Sequence, residues 1–346
     1  MEVNNDKNRK IGIDILKFIA AFAVVYIHFS IQGEFGEMIV SLQRWAVPIF
    51  FMITGFFYHQ TVVNNKENKQ ICKILKLCIY ANLLFFIYKI ALTVLKGESI
   101  ILFLTETFSV KQIINFLLFN ESPLAVHLWY LSAILYVLLI MKFVNKYNKY
   151  KLLYIVTPIL LIIDLIFGKY SLIFFSNEIP YIFVRNFLFV GIPYFTIGIY
   201  INNALKTKKY NNFTNNKTLL IVLILFFCAM TIIERTLLIH FNVNAVRDHY
   251  ISTTFLAISI FIYFVNFENT TNNKILKIIS EFGRKYCTNI YIFHPIIGSI
   301  FNKIFKGSMV YNYLVPFIVF GATLVFCIVF DKFIKFVKNK NIFIAK

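Results

Sequence analysis

Ten apolar stretches of about twenty residues each occupy most of this sequence, and their length leaves little choice of fold. They run over residues 11–30, 38–60, 72–95, 127–145, 150–168, 181–203, 217–240, 249–267, 285–304 and 309–331. About 20 apolar residues make a helix about 30 Å long, the thickness of a bilayer's hydrocarbon core. In that medium every backbone N–H and C=O must find a partner, and a continuous apolar run does so as a helix. The chain is 59% hydrophobic with a mean hydropathy of +0.72, which excludes an ordinary water-soluble domain. The expected fold is all-α and polytopic: about ten transmembrane helices in one bundle, a single domain over residues 1–346. Residues 1–10 and 332–346 read as cytoplasmic tails. The first apolar segment has a basic flank (Lys7, Arg9, Lys10) and no small-residue cleavage site, so it reads as a retained helix.

A net charge of +19 suggests a nucleic-acid partner until its position is considered. With the N-terminus inside, the cytoplasmic segments carry 24 of the 35 Lys and Arg residues, among them Lys66, Lys69, Lys73, Lys76, Lys206, Lys208 and Lys209. The outer loops carry six: Lys96, Lys111, Lys169, Arg247, Lys303 and Lys306. That asymmetry is the positive-inside rule, so the charge marks topology and contact with anionic membrane lipids, and no nucleic acid is expected. The five cysteines (Cys72, Cys78, Cys228, Cys287, Cys327) lack metal-type spacing and read as core residues. No metal is expected. The long outer connection, Lys96 to Ala125, contains a semi-apolar stretch, Lys111–Asn120, that fits an interfacial helix; Pro123 marks a break before the next span.

Charged residues inside apolar spans are costly, so each one calls for a partner or a function. In the first span, "IGIDILKFIAAFAVVYIHFS", Lys17 and His28 are eleven residues apart, close to three helical turns, and share a face with Asp14. Asp14 and Lys17 at (i, i+3) can pair. His28 has no partner in its own helix; on this helix alone it reads equally as a histidine near the headgroups.

Arginine is scarce, six against 29 lysines, and four arginines fall in the outer half: Arg44, Arg185, Arg235 and Arg247. Glu234 sits beside Arg235, and Asp248, His249 and Tyr250 follow Arg247. His127 and Trp129 open the fourth span, and His294 lies inside the ninth. Ionisable groups at one depth on six spans imply a polar cavity opening outward. Glu234 needs a cation there, with Arg185 its first candidate. A histidine in such a cavity can act as a general base, and arginines can orient a carbonyl or an anion. On the cytoplasmic side Lys69, Lys73 and Lys76 have helical spacing; they read as a membrane-surface anchor or a docking site for donor phosphates.

The segments "IDILKFIAAFAVVYIH", "RWAVPIFFMITGFF", "VHLWYLSAILY", "RNFLFVGIPYFTIGIYI" and "YIFHP" occur in the order seen in the acyltransferase-3 family of integral-membrane O-acyltransferases, which the whole chain resembles. It is also similar to the membrane domain of vancomycin-resistance serine racemases, without the racemase domain fused to it there. The resemblance implies transfer of an acyl group, usually acetyl, from cytoplasmic acyl-CoA to a hydroxyl of an extracytoplasmic or lipid-linked glycan. The family's arginine–ten residues–histidine motif falls on Lys17 and His28, and its basic pair on the third helix falls on Lys73 and Lys76. Lysine keeps the charge at these positions and gives up the bidentate fork of arginine.

The resulting expectation is a multi-pass plasma-membrane O-acetyltransferase with acetyl-CoA as donor. Lys73, Lys76 and Lys17 meet the donor, and His28 deprotonates the acceptor hydroxyl. Lys17, Glu234 and Arg185 assist the chemistry; Arg44, His127, Trp129, Arg235, Arg247, Asp248, Tyr250 and His294 hold the acceptor. Partners are a glycan or lipid-linked saccharide, membrane lipids and envelope-biosynthesis proteins. A permease for a small polar solute such as an amino acid is the alternative from another class. The lack of a visible repeat and the outward gathering of polar residues weigh against it.

Overall fold

A computed structural model describes residues 9–207, 210–267, 273–305 and 307–344, so Lys7, Lys208, Lys209 and Lys306 lie outside the described residues. The described residues form helices and no strand. In chain order these are α1 (Ile11–His28), α2 (Glu34–Gln43), α3 (Ala46–Val63), α4 (Glu67–Leu95), α5 (Ile100–Thr107), α6 (Val110–Phe119), α7 (Trp129–Lys146) and α8 (Tyr150–Phe167). After them come α9 (Ser171–Phe175), α10 (Ile192–Lys206), α11 (Asn211–Thr214), α12 (Lys217–His240), α13 (Ile251–Val265), α14 (Lys274–Ile304) and α15 (Met309–Ile344).

Among the described residues, eight helical stretches are long and apolar enough to cross a membrane. The other two expected spans fall on the apolar 15-residue α13 and on the second half of α14. α2 and α3 divide the second expected span at Arg44 and Trp45. The sixth starts irregularly, with a 3₁₀ turn (Tyr181–Phe183) and a π-helical turn (Phe187–Gly191) ahead of α10. α15 carries helical structure through the stretch expected as a basic tail, where Lys335 bonds Asp331 at 2.7 Å. Leu83 on α4, Leu225 on α12 and Val325 on α15 are more than half exposed. Apolar faces of that extent suit lipid, and the fold is that of an all-α multi-pass membrane protein. Of the cysteines, Cys78 and Cys327 are buried as expected, whereas Cys72 is exposed on α4, because its face carries Lys69, Lys73 and Lys76 rather than core.

The chain forms two compact units, each assembled from separate stretches of sequence. One contains the chain up to Ala46, Thr214–Ile232 and everything from Leu256 onward; the other contains Val47–Phe213 and Ile233–Phe255.

In the first unit α1 packs chiefly on α14. Small residues permit this: Ala20, Ala21 and Ala23 are buried on α1, and Gly283 on α14 meets the α1 backbone at Asp14 with no space for a Cβ. Lys17 Nζ pairs with Asp14 Oδ1 at 3.0 Å, as the spacing predicts. Asp14 also accepts from Arg9 Nε at 3.0 Å. Arg9 reaches on to Glu281 at 2.6 Å and Ser280 at 3.0 Å, which ties the start of α1 to α14. This burial of Asp14 is tolerable because two cations share it.

Glu281 lies ahead of the apolar half of α14. Hydrogen bonds from Arg284, Arg9 and Lys285 hold its carboxyl down at about 2. A carboxylate stabilised in this way supports the fold above its ordinary range, and that support fades as pH falls from about 4.5 toward 2. Protection of the amides in the first turns of α14, taken relative to the intrinsic exchange rate at each pH, is therefore expected to fall between pH 5 and pH 2, and less so in Glu281→Gln, which has no charge to lose. An equal loss of protection in both would remove the assignment.

Candidate functional site

The sequence-derived site residues fall into two sets, one in each unit. In the first unit the set is Asp14, Lys17, His28, Arg44 and His294. His28 closes α1 with its side chain exposed. His294 is fully buried in the middle of α14, and the two imidazole rings lie 5.2 Å apart, centre to centre, at 44°. His28 thus meets the ring of a histidine from the ninth expected span. His294 Nδ1 is 3.0 Å from the Ile290 carbonyl oxygen one turn back. Phe29 meets the His294 ring edge-on at 6.3 Å, and its own ring lies where a Cβ on Gly298 would be. Lys17, paired with Asp14, is three turns from His28 along α1, roughly 16 Å of rise. Arg44 is half-buried at the end of α2.

In the second unit, two buried asparagines that the sequence reading passed over set the geometry. Asn120 ends α6 in the left-handed region, φ 55°, and is fully buried. Its side chain accepts from Phe187 N at 2.9 Å and donates to the Trp129 carbonyl at 3.3 Å. Asn186 caps the π turn, accepting from Leu188 N and Phe189 N at 2.9 and 3.1 Å. Between these anchors Arg185 is held over two rings, 4.1 Å from the centre of Tyr181 and 5.6 Å from that of Trp129. No carboxylate or carbonyl bonds its guanidinium among the described residues, so its donors remain available. Arg247 bonds Glu178 at 3.0 Å and the Ile179 carbonyl, and packs on Tyr181 from 5.1 Å.

Asp164, a lone acid in the apolar α8, bonds His249 Nδ1 at 2.8 Å with both side chains buried. Lys169 donates to the Ala245 carbonyl at 2.8 Å and lies 4.3 Å above the Tyr250 ring. Asp164, Lys169, Arg185, Arg247, Asp248 and His249 line one cleft with a free volume of about 10 Å³, room for about one water. The cleft is polar, with three cations, Lys169, Arg185 and Arg247, and His249 facing two acids, Asp164 and Asp248. Sequence reasoning missed Asp164 and Lys169 here; a single acid within "LLIIDLIF" was the available signal.

Glu234 corrects an expectation. It does not pair with Arg185, whose position over Tyr181 and Trp129 is fixed by the neighbouring asparagines. The Glu234 carboxylate instead accepts from Ile251 N at 2.8 Å, Ser252 N at 3.1 Å, Ser252 Oγ at 2.6 Å and the Tyr170 hydroxyl. It caps the start of α13 from the side of α12, satisfying N–H groups that have no partner within the helix. Glu234→Ala is expected to lower stability by about 1–2 kcal/mol, the range for a lost cap, read as a lower thermal midpoint in nanodiscs.

Of the remaining residues, His127 is buried edge-on to Phe85 at 4.9 Å, and Arg235 is buried on α12. Lys73 and Lys76 lie exposed on α4. An apolar chamber of about 620 Å³ opens between α4, the α5–α6 pair and α7, lined by Leu83, Phe86, Phe108, Ile113, Leu117 and Ser132 among others. α6 covers most of the interfacial stretch foreseen in the sequence, bent 43° from α5.

The sequence matches the acyltransferase-3 family, described as an acyltransferase domain, over residues 10–332. Two proteins of Enterococcus faecalis named amino-acid racemase are similar to it. One is 26% identical over 327 residues, covering 87% of this chain and 42% of that protein. The other is 28% identical over 222 residues, covering 58% of this chain and 29% of that protein. The chain thus spans less than half the length of these relatives. No solved structure matches it. On the family match, which takes in both units and both histidines of the α1–α14 pair, the chain belongs to the acyltransferase-3 family.

Proposed function

We propose that this protein is a plasma-membrane O-acyltransferase that moves an acetyl group from acetyl-CoA to a hydroxyl of a lipid-linked or envelope glycan. The observation that carries the reading is His28: an exposed imidazole at the end of a membrane helix, braced by a second histidine, within a chain of acyltransferase sequence. His28 takes the proton of the acceptor hydroxyl as its oxygen attacks the thioester carbonyl. The carbon–sulfur bond then breaks, and the proton passes to the departing thiolate, leaving both histidines as they began. Lys73 and Lys76, exposed and basic, suit the donor's phosphates as point charges. Arg185, with donors available beside Tyr181 and Trp129, suits a saccharide that offers hydroxyls to hydrogen-bond and a ring face to stack. The apolar chamber on α4 supports a lipid-linked acceptor, because it offers a hydrocarbon chain a recess open to the bilayer.

The test is transfer of labelled acetyl from acetyl-CoA to a lipid-linked saccharide by the protein in nanodiscs. Label in the acceptor, lost with His28→Ala, supports the reading. Absence of donor binding together with uptake of an amino acid by proteoliposomes would replace it with the permease.

A further inference from the structure

We propose that His294 is the proton-accepting partner of His28, so that two imidazoles share the proton taken from the acceptor. The inference rests on the reading of His28 as the base and adds a residue to it. Four observations lead here. The rings lie 5.2 Å apart, centre to centre, in contact but with no hydrogen bond at His294 Nε2, so a turn of the exposed His28 ring is what brings one of its nitrogens to Nε2. His294 is fully buried while His28 is exposed, so one ring meets substrate and the other stands behind it. The Ile290 carbonyl, 3.0 Å from His294 Nδ1, can only accept; Nδ1 therefore carries a hydrogen and Nε2 is the basic nitrogen of the neutral ring. Pro295 follows immediately inside α14, and Phe29 lies edge-on to the ring at 6.3 Å, so the imidazole has a fixed apolar setting.

The chemistry follows from those tautomers. When His28 takes the hydroxyl proton on one ring nitrogen, the N–H on its other nitrogen turns toward an acceptor. His294 Nε2 is such an acceptor, and as it draws that hydrogen the positive charge spreads over both rings. The Ile290 carbonyl steadies the far end through Nδ1–H. When the carbon–sulfur bond breaks, the thiolate takes the proton held on His28, the shared hydrogen returns to His28, and His294 is neutral again. No atom is gained or lost by the pair. His294 touches no substrate in this scheme; it is a positioning residue that acts through His28.

Two substitutions separate this role from packing. His294→Asn keeps a side-chain N–H for the Ile290 carbonyl and removes the basic nitrogen. His294→Ala removes both. The full chain in nanodiscs, assayed with acetyl-CoA and a lipid-linked saccharide, is expected to lose kcat on the order of 10²-fold in both variants, with the donor KM unchanged. His294→Asn should keep the thermal midpoint of the parent. Combining His294→Asn with His28→Ala should cost no more than His28→Ala alone, because both act on one proton. A His294→Asn protein with parental kcat, beside a His294→Ala protein that has lost stability, would show a packing histidine and overturn the proposal. Full turnover in His28→Ala would overturn the underlying reading instead. A readout independent of turnover is carbethoxylation of His28 followed by peptide mass spectrometry. A His28 ring whose N–H is drawn toward His294 is the stronger nucleophile, so its modification rate should fall in His294→Asn; an unchanged rate also overturns the proposal.

Discussion

His28→Ala is expected to abolish acetyl transfer, with a loss in kcat on the order of 10²–10⁴-fold, while leaving the protein folded. The side chain is exposed at the last residue of α1, so its removal opens no cavity in the core. The substitution therefore separates chemistry from stability more cleanly than one at a buried position. Acetyl-CoA consumption and acceptor labelling give the rate, and the thermal midpoint in nanodiscs gives the fold. A histidine serving only as a headgroup anchor gives the opposite pattern: parental rate and weaker membrane seating. Lys17→Arg belongs in the same series. Lys17 is held by Asp14 at 3.0 Å, so arginine at that position should retain activity if charge alone is required there.

The second large effect is structural. Gly283→Leu is expected to destabilise the protein by about 3 kcal/mol or more, at or beyond the usual upper range for overpacking. A Cβ at Gly283 would collide with the Asp14 carbonyl and the Phe18 amide, both backbone, and backbone of a packed helix cannot step aside as a flexible side chain can. Relief requires α1 to move off α14, which also separates His28 from His294. The thermal midpoint should fall and exchange along α1 should rise. Gly321→Ala, set beside Gly283→Ala, is the matched comparison, because a Cβ at Gly321 meets nothing within 4 Å. Its helix should tolerate the change or gain slightly from it. Equal losses at both glycines would show a general sensitivity to substitution rather than a tight helix crossing.

Much of the fold was legible from apolar length alone, since the expected spans are mostly helical, with breaks at Arg44 and Trp45 and at the start of the sixth, and hydrocarbon leaves the backbone few other options. The Asp14–Lys17 pair was legible because helical spacing determines which residues of one helix are neighbours. Neighbours across helices were not. Arg9 and Glu281 are 272 positions apart, and nothing in either segment names the other. Glu234 was matched to Arg185 on charge, whereas the unsatisfied N–H groups at the start of α13 had the stronger claim. Asp164 escaped notice as a single acid in an apolar run, although its cost in such a place is the reason to seek its partner. Asn120 and Asn186 carry no charge and so left no electrostatic trace, yet they set where Arg185 stands.

Asn120 has a mechanical consequence. One amide fastens the end of α6 to the π turn through Phe187 and to α7 through Trp129, and two residues on, Ser122 bonds Asn82 of α4 at 2.8 Å. The outer connection is therefore riveted at its C-terminal foot. At its other foot stands Gly97, in a turn with φ 69°. Any swing of the α5–α6 pair would pivot about residue 120 and travel furthest at the bend between the two helices. Shortening the chain near Gly97 would restrict that travel, while shortening it near Asn120 would dismantle the wall.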